Sequence, residues 1–227
     1  MKSVLGSFFA VVLSANLAMA AGKSITGVMV TDVAMGPEKA TITVTNTSKH
    51  DVTGYSLAIT QQLANGREIY SERTEDFGPS AFTHKALRSG ETSEQTIVFD
   101  QPRVRSVRAD VIVAIYDDQT AEVKNDRTFK DTLATRRKIA NALQQSAVVF
   151  ENAAADAAPR DRAAHDFEAL VQNATSNQAS VEFLNENAAV AASAPAGEER
   201  EFLQNYASQL KQKADAFTRH ATIRRLP

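Results

Sequence analysis

The feature that most constrains the fold is an abrupt change of composition near residue 128. Seven of the nine glycines lie within residues 21–127, whereas residues 128–227 are rich in alanine and contain a single glycine, Gly197. Glycine and β-branched residues are typical of turns and strands, and alanine with Glu, Gln, Lys and Arg is typical of helices. We therefore predict an α+β chain, with a β-sandwich domain over residues 21–127 packed with an α-helical region over residues 128–227.

The first twenty residues, MKSVLGSFFAVVLSANLAMA, have the layout of a secretory signal peptide. Lys2 gives a positive start, residues 4–13 form an apolar core too short to span a bilayer comfortably, and Ala18-Met19-Ala20 is a cleavage signal. We predict that residues 1–20 are removed and that the protein is exported, to the periplasm or outside the cell. An uncleaved membrane anchor is the alternative, and we expect no transmembrane segment after cleavage.

Cysteine content and charge exclude several classes of function. The chain has no cysteine, which rules out disulfides, thiol catalysis and lipid attachment through a cysteine. It has 25 basic and 27 acidic residues and a formal net charge of −2. A general nucleic-acid or anionic-membrane binder would show a basic excess, so we predict no nucleic-acid partner.

Apolar and polar residues alternate through the first domain with the period of half-buried strands. Asn65-Gly66 supplies a two-residue hairpin turn with positive φ. About seven strands at this spacing predict an immunoglobulin-like or fibronectin-type sandwich. The predicted strands cover residues 25–33, 40–45, 55–60, 67–74, 92–99, 107–116 and 121–124.

The strand Val107–Tyr116 differs from the others because both of its faces are apolar. Simple alternation places Val111, Val113 and Ile115 on one face and Ile112, Ala114 and Tyr116 on the other. A strand with two apolar faces is covered on both sides. We expect one face to lie in the sandwich core and the other to lie under the helical region.

The second domain shows the period of amphipathic helices, and its phenylalanines indicate core packing. Three or four helices are predicted, as a small antiparallel bundle or lying along the sandwich. Asp161 is a candidate cap, residues 173–180 a possible interruption, and residues 194–197 a break. The apolar stripes contain Phe129, Leu133, Ala140, Leu143, Ala147, Phe150, Phe167, Leu170, Val171, Val181, Leu184, Phe202, Tyr206, Leu210 and Phe217.

Two groups of charged residues need an interpretation, one on the first predicted helix and one at the C-terminus. The cluster Arg136-Arg137-Lys138 is interpreted as a solvated face or as internal ion pairs, with an anion or partner patch as the alternative. The last residues, Arg224-Arg225-Leu226-Pro227, are expected to be frayed.

One acidic turn is the only candidate for a metal site that the sequence offers. Asp117 and Asp118 follow the two-faced strand, and Glu122 and Asp126 come next. The favoured interpretation is a polar hairpin turn in which Asp accepts bonds from local backbone N–H groups. Calcium binding and acid/base catalysis are the alternatives, although adjacent carboxylates without a glycine depart from a DxDxDG loop.

No other pattern nominates a catalytic or cofactor site. The four histidines, His50, His84, His165 and His220, are not spaced like the ligands of one metal ion, and we interpret them as surface residues. No GxSxG, GxGxxG or Walker sequence occurs, so we predict no cofactor and no catalytic residue.

The segment "ATITVTNTSKHDVTGYSLAIT", the Asn-Gly hairpin, "VIVAIYDDQTAEV" and an Arg-rich helix together resemble uncharacterised bacterial secreted proteins with an immunoglobulin-like domain. The resemblance covers about residues 25–140. In those proteins an Asp-Gly turn ends the strand, where this chain has Asp118-Gln119. The resemblance implies the sandwich fold and carries no assigned activity.

The sequence therefore favours an exported, non-enzymatic binding or scaffold protein that contacts another protein or an envelope component. Its partner is expected to be a protein, or a second copy bound through the helices. The alternative is a divergent hydrolase with a site at the seam between sandwich and helices.

Overall fold

The computed structural model describes residues 25–77, 86–100, 103–173 and 178–226, and for residues 173 and 178–183 it describes the backbone alone. The predicted signal peptide lies outside the described residues. Within them the chain is α+β. The elements in chain order are β1 (Val28–Met35), β2 (Lys39–Asn46), β3 (Val52–Leu63), β4 (Glu68–Asp76), β5 (Thr92–Val98), β6 (Val104–Tyr116), β7 (Thr120–Val123), α1 (Asp126–Ala155), α2 (Pro159–Asn173), α3 (Gln178–Ala192), α4 (Glu199–His220) and β8 (Arg224–Arg225).

The strands form two sheets, one with the order β1-β2-β5 and one with the order β4-β3-β6-β7-β8. All pairs are antiparallel except β7 with β8, which is parallel. The alternating side chains of both sheets meet in one hydrophobic core, as expected for half-buried strands. Its members include Val28, Ile42, Val44, Tyr55, Leu57, Ile59, Ile97, Val107, Val111, Ala114 and Tyr116.

The Asn-Gly hairpin is present, but its connection has three residues and not two. Leu63 N donates to Arg67 O at 2.8 Å, and Gly66 N donates to Leu63 O at 3.0 Å. Only Gly66, with φ of +83°, has a positive φ in this turn, and Asn65 Oδ1 accepts a bond from Arg67 N at 3.0 Å. A tight turn followed by one left-handed residue is the common three-residue hairpin.

Both faces of the end of β6 are buried, from Val111 at 5% exposure to Tyr116 at 3%. The division of its side chains between the faces differs from simple alternation because a β-bulge lies at Ile112. Val111 pairs with Leu57 and Val113 pairs with Ser56, so Ile112 has no partner in the ladder. A bulge adds one residue and reverses the alternation after it. Val111 therefore shares the core with Ala114 and Tyr116, whereas Val113 and Ile115 occupy the outer face.

The first turn of α1 is bound to the outer face of the five-stranded sheet. Asn125 caps the helix, with its Oδ1 accepting from the N–H groups of Arg127 and Thr128 at 3.1 and 3.2 Å. Glu72 on β4 accepts bonds from the Asn125 amide and the Thr128 hydroxyl. Cover of the outer face by the helices beyond this turn stays a prediction.

The four helices share a second hydrophobic core of their own. Phe150 lies at its centre, with edge contacts to Phe167 and Tyr206 at centroid distances of 5.2 and 4.9 Å. The apolar stripes predicted from the helical period contribute to this core. Its other members include Leu143, Ala147, Leu184, Leu203, Leu210 and Phe217.

Two compact units result, and the second is inserted into the first. The β unit extends to Thr132 and contains the C-terminal tail from Ile223, and the helical unit runs from Leu133 to Thr222. The tail pairs with β7 as β8, through bonds of 2.8 Å from Arg224 N to Gln119 O and from Leu226 N to Ala121 O. The expectation that Arg224, Arg225 and Leu226 are frayed is therefore wrong, because this segment pairs with β7 in the sheet.

Candidate functional site

Three polar side chains from two distant parts of the chain meet at one end of the β unit. His50 lies in the turn between β2 and β3, and Asp117 and Asp118 lie in the turn between β6 and β7. His50 Nδ1 is 3.8 Å from Asp117 Oδ1, and His50 Nε2 is 3.6 Å from Asp118 Oδ2. One possible ligand atom from each of the three residues lies within 4.8 Å of the others. We call these three residues the His-Asp-Asp cluster.

A buried asparagine, Asn46, holds the backbone of His50 and makes no hydrogen bond to the imidazole. Asn46 is fully buried, and its Nδ2 donates to the carbonyls of His50 and Leu87, both at 2.8 Å. Asn46 Oδ1 accepts from the N–H and the hydroxyl of Ser48 at 2.9 and 2.8 Å. Because these bonds reach only backbone atoms of His50, the imidazole is left to face the two aspartates.

The two aspartates are held in the same way, through atoms that point away from His50. Asp117 N donates to Asp51 O at 2.9 Å, which ties the two turns together. Asp118 Oδ1 accepts from Thr120 N at 3.0 Å and from Thr120 Oγ1 at 2.6 Å. Asp118 Oδ2 is the oxygen directed to His50.

The pKa of Asp118 is lowered from its ordinary value. Partial burial of the carboxyl opposes ionisation, but the two hydrogen bonds from Thr120 and the nearby charges of His50 and Arg224 favour the carboxylate and more than offset burial. Asp118 is therefore an anion throughout the neutral pH range.

The other two acidic residues of the predicted metal site are used elsewhere. Glu122 binds the segment before β1, accepting from Thr26 N and Gly27 N at 2.9 and 3.1 Å, and from Tyr116 Oη at 3.2 Å. Asp126 forms an ion pair with Arg225, whose guanidinium lies 5.4 Å from the ring centroid of Phe129. The structure thus brings Asp117 and Asp118 together and gives Glu122 and Asp126 separate structural contacts.

His50 is the residue that the sequence interpretation missed. Antiparallel pairing places Val52 opposite Tyr116, so the residues two places beyond these, His50 and Asp118, come together past the strand ends. The nearness of His50 to Asp118 can be predicted from the sequence only if the pairing of β3 with β6 is already known.

The donor set determines what this cluster can do chemically. One imidazole nitrogen and two carboxylates form a mixed nitrogen and oxygen set, which suits first-row divalent ions better than calcium, whose ligands are oxygens. The side chains of His50, Asp117 and Asp118 are 37%, 51% and 35% exposed, so water has access to the cluster.

The helical unit carries a separate shallow groove of about 390 Å³ on α1 and α2. Amide and aliphatic side chains line it, and they offer contacts and hydrogen bonds to a neighbouring molecule. The lining residues are Asn141, Gln144, Gln145, Val148, Val149 and Leu170.

The buried Arg136 corrects the interpretation of the basic cluster on α1. Its side chain is fully buried and donates to the backbone carbonyl of His220, so it is neither a solvated residue nor part of a partner patch. Arg137 remains exposed, as expected.

Among the described residues, no helix is both long enough and apolar enough to cross a membrane. No protein-family model matches the chain, and comparisons with curated proteins and with solved structures gave no significant match.

Proposed function

We propose that the protein is exported and acts as a non-enzymatic binding or scaffold protein, contacting another protein or a component of the cell envelope. The observation that carries this proposal is the return of the chain to β7 after the helical unit. α1 begins three residues after β7, and β8 pairs with β7. The helical unit is therefore joined to the same sheet at both of its ends.

Two connections suit a unit whose task is to present a surface. A unit held by one flexible linker loses orientational freedom when it binds, and this loss opposes affinity. A second connection removes part of that freedom in advance. The tail connection is reinforced by the ion pair between Arg225 and Asp126 and by the contact of Arg225 with Phe129.

We further infer that the β unit is an immunoglobulin-like sandwich of the fibronectin type. In that fold the first, second and fifth of seven strands lie in one sheet, and the third, sixth and seventh lie in the other. The orders β1-β2-β5 and β3-β6-β7 follow this rule, with β4 beside β3. Such a sandwich is a rigid frame, and its use here as a support agrees with the proposal.

Site-specific photo-cross-linking in the source organism tests the proposal. A photoreactive residue at Val148, which is 44% exposed in the groove of the helical unit, should give a defined covalent adduct with one partner. The same residue at Val98 in β5, which is 65% exposed, reports contacts of the β unit. The exposed Gln204 on α4 is the matched control position and should give only background.

Deletion of residues 223–227 tests whether the two connections matter. It removes β8 and should lower the yield of the Val148 adduct while circular dichroism of both units persists. The matched variant Arg225→Ala removes the ion pair with Asp126 and keeps the backbone pairing, so it should retain most of the yield.

Three results would contradict the proposal. The first is a set of adducts at Val148 and Val98 no different from the Gln204 control. The second is an uncleaved, intracellular chain, since N-terminal sequencing should begin at Ala21. The third is turnover of ester, amide or phosphoester substrates by the purified protein.

A further inference from the structure

We propose that the His-Asp-Asp cluster binds one first-row divalent transition-metal ion of the zinc class. The ligands are His50 Nε2, Asp118 Oδ2 and one carboxylate oxygen of Asp117, and water completes the coordination. This site is independent of the proposed binding or scaffold function, because no step of that proposal uses these residues.

The spacing of the donor atoms supports a shared ion better than direct hydrogen bonds. His50 Nε2 lies 3.6 Å from Asp118 Oδ2, which exceeds the usual range of about 2.7–3.2 Å for an N–H···O bond. The 3.8 Å separation of Asp117 Oδ1 is measured from His50 Nδ1, the ring nitrogen that is not assigned as a ligand. Two ligands on one tetrahedral ion lie roughly 3.4 Å apart when the metal–ligand bonds are about 2.0–2.2 Å. One possible ligand atom from each residue lies within 4.8 Å of the others, so rotation of the Asp117 side chain toward His50 Nε2 would close the cluster around an ion. Asp117, the most exposed of the three, can rotate without disturbing the core.

The cluster is organised before any ion binds. Asn46 holds the backbone of His50, Asp51 O accepts the N–H of Asp117, and Thr120 holds Asp118. None of these bonds uses an atom that we assign as a ligand. An ion therefore has to order only the ends of three short side chains, which limits the entropic cost of binding.

The charges around the cluster favour a cation but include one competitor. The two carboxylates outweigh the single guanidinium of Arg224, whose position in β8 pairs with Thr120 beside the acidic turn. Arg224 belongs to the tail strand β8, and its backbone N–H bonds Gln119 O. Its side chain can therefore be changed without removing the strand.

The presence of an imidazole identifies the class of ion. Zinc, cobalt and nickel accept mixed imidazole and carboxylate ligands, whereas calcium and magnesium prefer oxygen ligands alone. This assignment replaces the calcium alternative raised by the acidic residues of the sequence.

Isothermal titration calorimetry with Zn²⁺ on the untagged mature chain tests the site, with Co²⁺ absorption as a second readout. We expect one ion per chain with a micromolar dissociation constant. His50→Gln and Asp118→Asn should each weaken binding by at least about tenfold, and Asp117→Asn should weaken it in the same direction. Arg224→Gln should strengthen it, because it removes the competing positive charge.

The variants are chosen so that loss of binding cannot be explained by loss of folding. Gln at position 50 keeps the backbone bonds from Asn46, and Asn at position 118 keeps an Oδ1 acceptor for Thr120. Thermal melting of the metal-free variants checks this. His165→Gln is the matched control, because His165 also lies beside an aspartate, with Nδ1 3.1 Å from Asp166 Oδ1. It should leave the affinity unchanged.

The inference is overturned if Zn²⁺ gives no saturable heat, or if His50→Gln and Asp118→Asn bind as the parent does. Saturable binding of Ca²⁺ without Zn²⁺ would overturn the class of ion. Both outcomes leave the cross-linking test of the proposed function untouched.

Discussion

The guanidinium of Arg136 donates a hydrogen bond of 2.8 Å to the backbone carbonyl of His220, which is 84 residues away in the sequence. Arg136 lies near the start of the helical unit, and His220 is the last residue of α4. The final carbonyls of a helix have no partner within the helix, and a positive charge there also interacts favourably with the helix dipole. This contact joins the two ends of the helical unit near the points where the chain enters and leaves it.

Replacement of this buried arginine should be costly. Arg136→Ala removes a charged donor and leaves the carbonyl of His220 without this bond, so we expect a loss of about 2–3 kcal/mol in the free energy of unfolding. Arg137→Ala is the matched control, because Arg137 is exposed and its bond to Ala221 O is 3.4 Å long. It should cost less than about 0.5 kcal/mol. Urea unfolding measures the free energy of unfolding of both variants. Equal losses would show that the buried hydrogen bond of Arg136 contributes no more to stability than the exposed side chain of Arg137.

Gln119 occupies a left-handed conformation that glycine would adopt at lower cost. Its φ is +63°, and Gln119 N donates to Tyr116 O at 3.3 Å, as Gly66 N does to Leu63 O. Gln119→Gly should therefore stabilise the protein by about 0.5–1 kcal/mol. The reverse change at the equivalent position, Gly66→Gln, should destabilise it by about 1 kcal/mol. Thermal unfolding compares the two, and a loss of stability in Gln119→Gly would contradict the expectation.

Gly27 is required for close approach and not for an unusual φ. A Cβ at this position would overlap the hydroxyl of Tyr116 and lie 3.1 Å from Ser48 Cβ. Gly27→Ala should cost about 1–3 kcal/mol through this overlap. Tyr116→Phe removes the hydroxyl, so the double variant should lose less than the sum of the two single losses. Strict additivity in a double-mutant cycle would show that the overlap is relieved in another way.

Asp166 should make part of the stability depend on acidic pH. Burial opposes its ionisation, but hydrogen bonds from His165 and Arg162 and their charges outweigh burial and lower the pKa of Asp166. A lowered pKa in the folded state gives stability that is present above the unfolded value of about 3.9 and is lost as the pH falls through the folded value. The difference in unfolding free energy between the parent and Asp166→Asn should therefore shrink between pH 6 and pH 3. A difference in unfolding free energy that stays constant over that range would contradict the lowered pKa of Asp166.

Much of the secondary structure could be predicted because it depends on local side-chain period. Strand β2 was predicted as residues 40–45 and observed as Lys39–Asn46, and the break at residues 194–197 separates α3 from α4. The predicted assignment of the β6 side chains to the two faces of the sheet is wrong after Val111. The bulge at Ile112 is a property of the pairing with β3, and the apolar period of a single strand does not reveal it.

The candidate site was predicted in part for a similar reason. Asp117 and Asp118 were found because adjacent acids at a strand end are a local pattern. His50 is interpreted from the sequence as a surface residue, because no other histidine lies within metal-ligand spacing of it. Its nearness to the two aspartates depends on the register between β3 and β6. Glu122 and Asp126 are included in the predicted metal site only because they are near Asp117 and Asp118 in sequence. In the fold, Glu122 accepts a hydrogen bond from Thr26 and Asp126 forms an ion pair with Arg225.

The sequence by itself determined the order of strands and helices, the change from strands to helices near residue 128, and the presence of two apolar faces on β6. Only the tertiary structure decided that the tail returns as β8, that Arg136 is buried and that His50 joins the acidic turn. The physical reason is that side-chain period reports burial along one element. Strand register and buried polar contacts depend instead on residues far apart in the chain, which local composition does not encode.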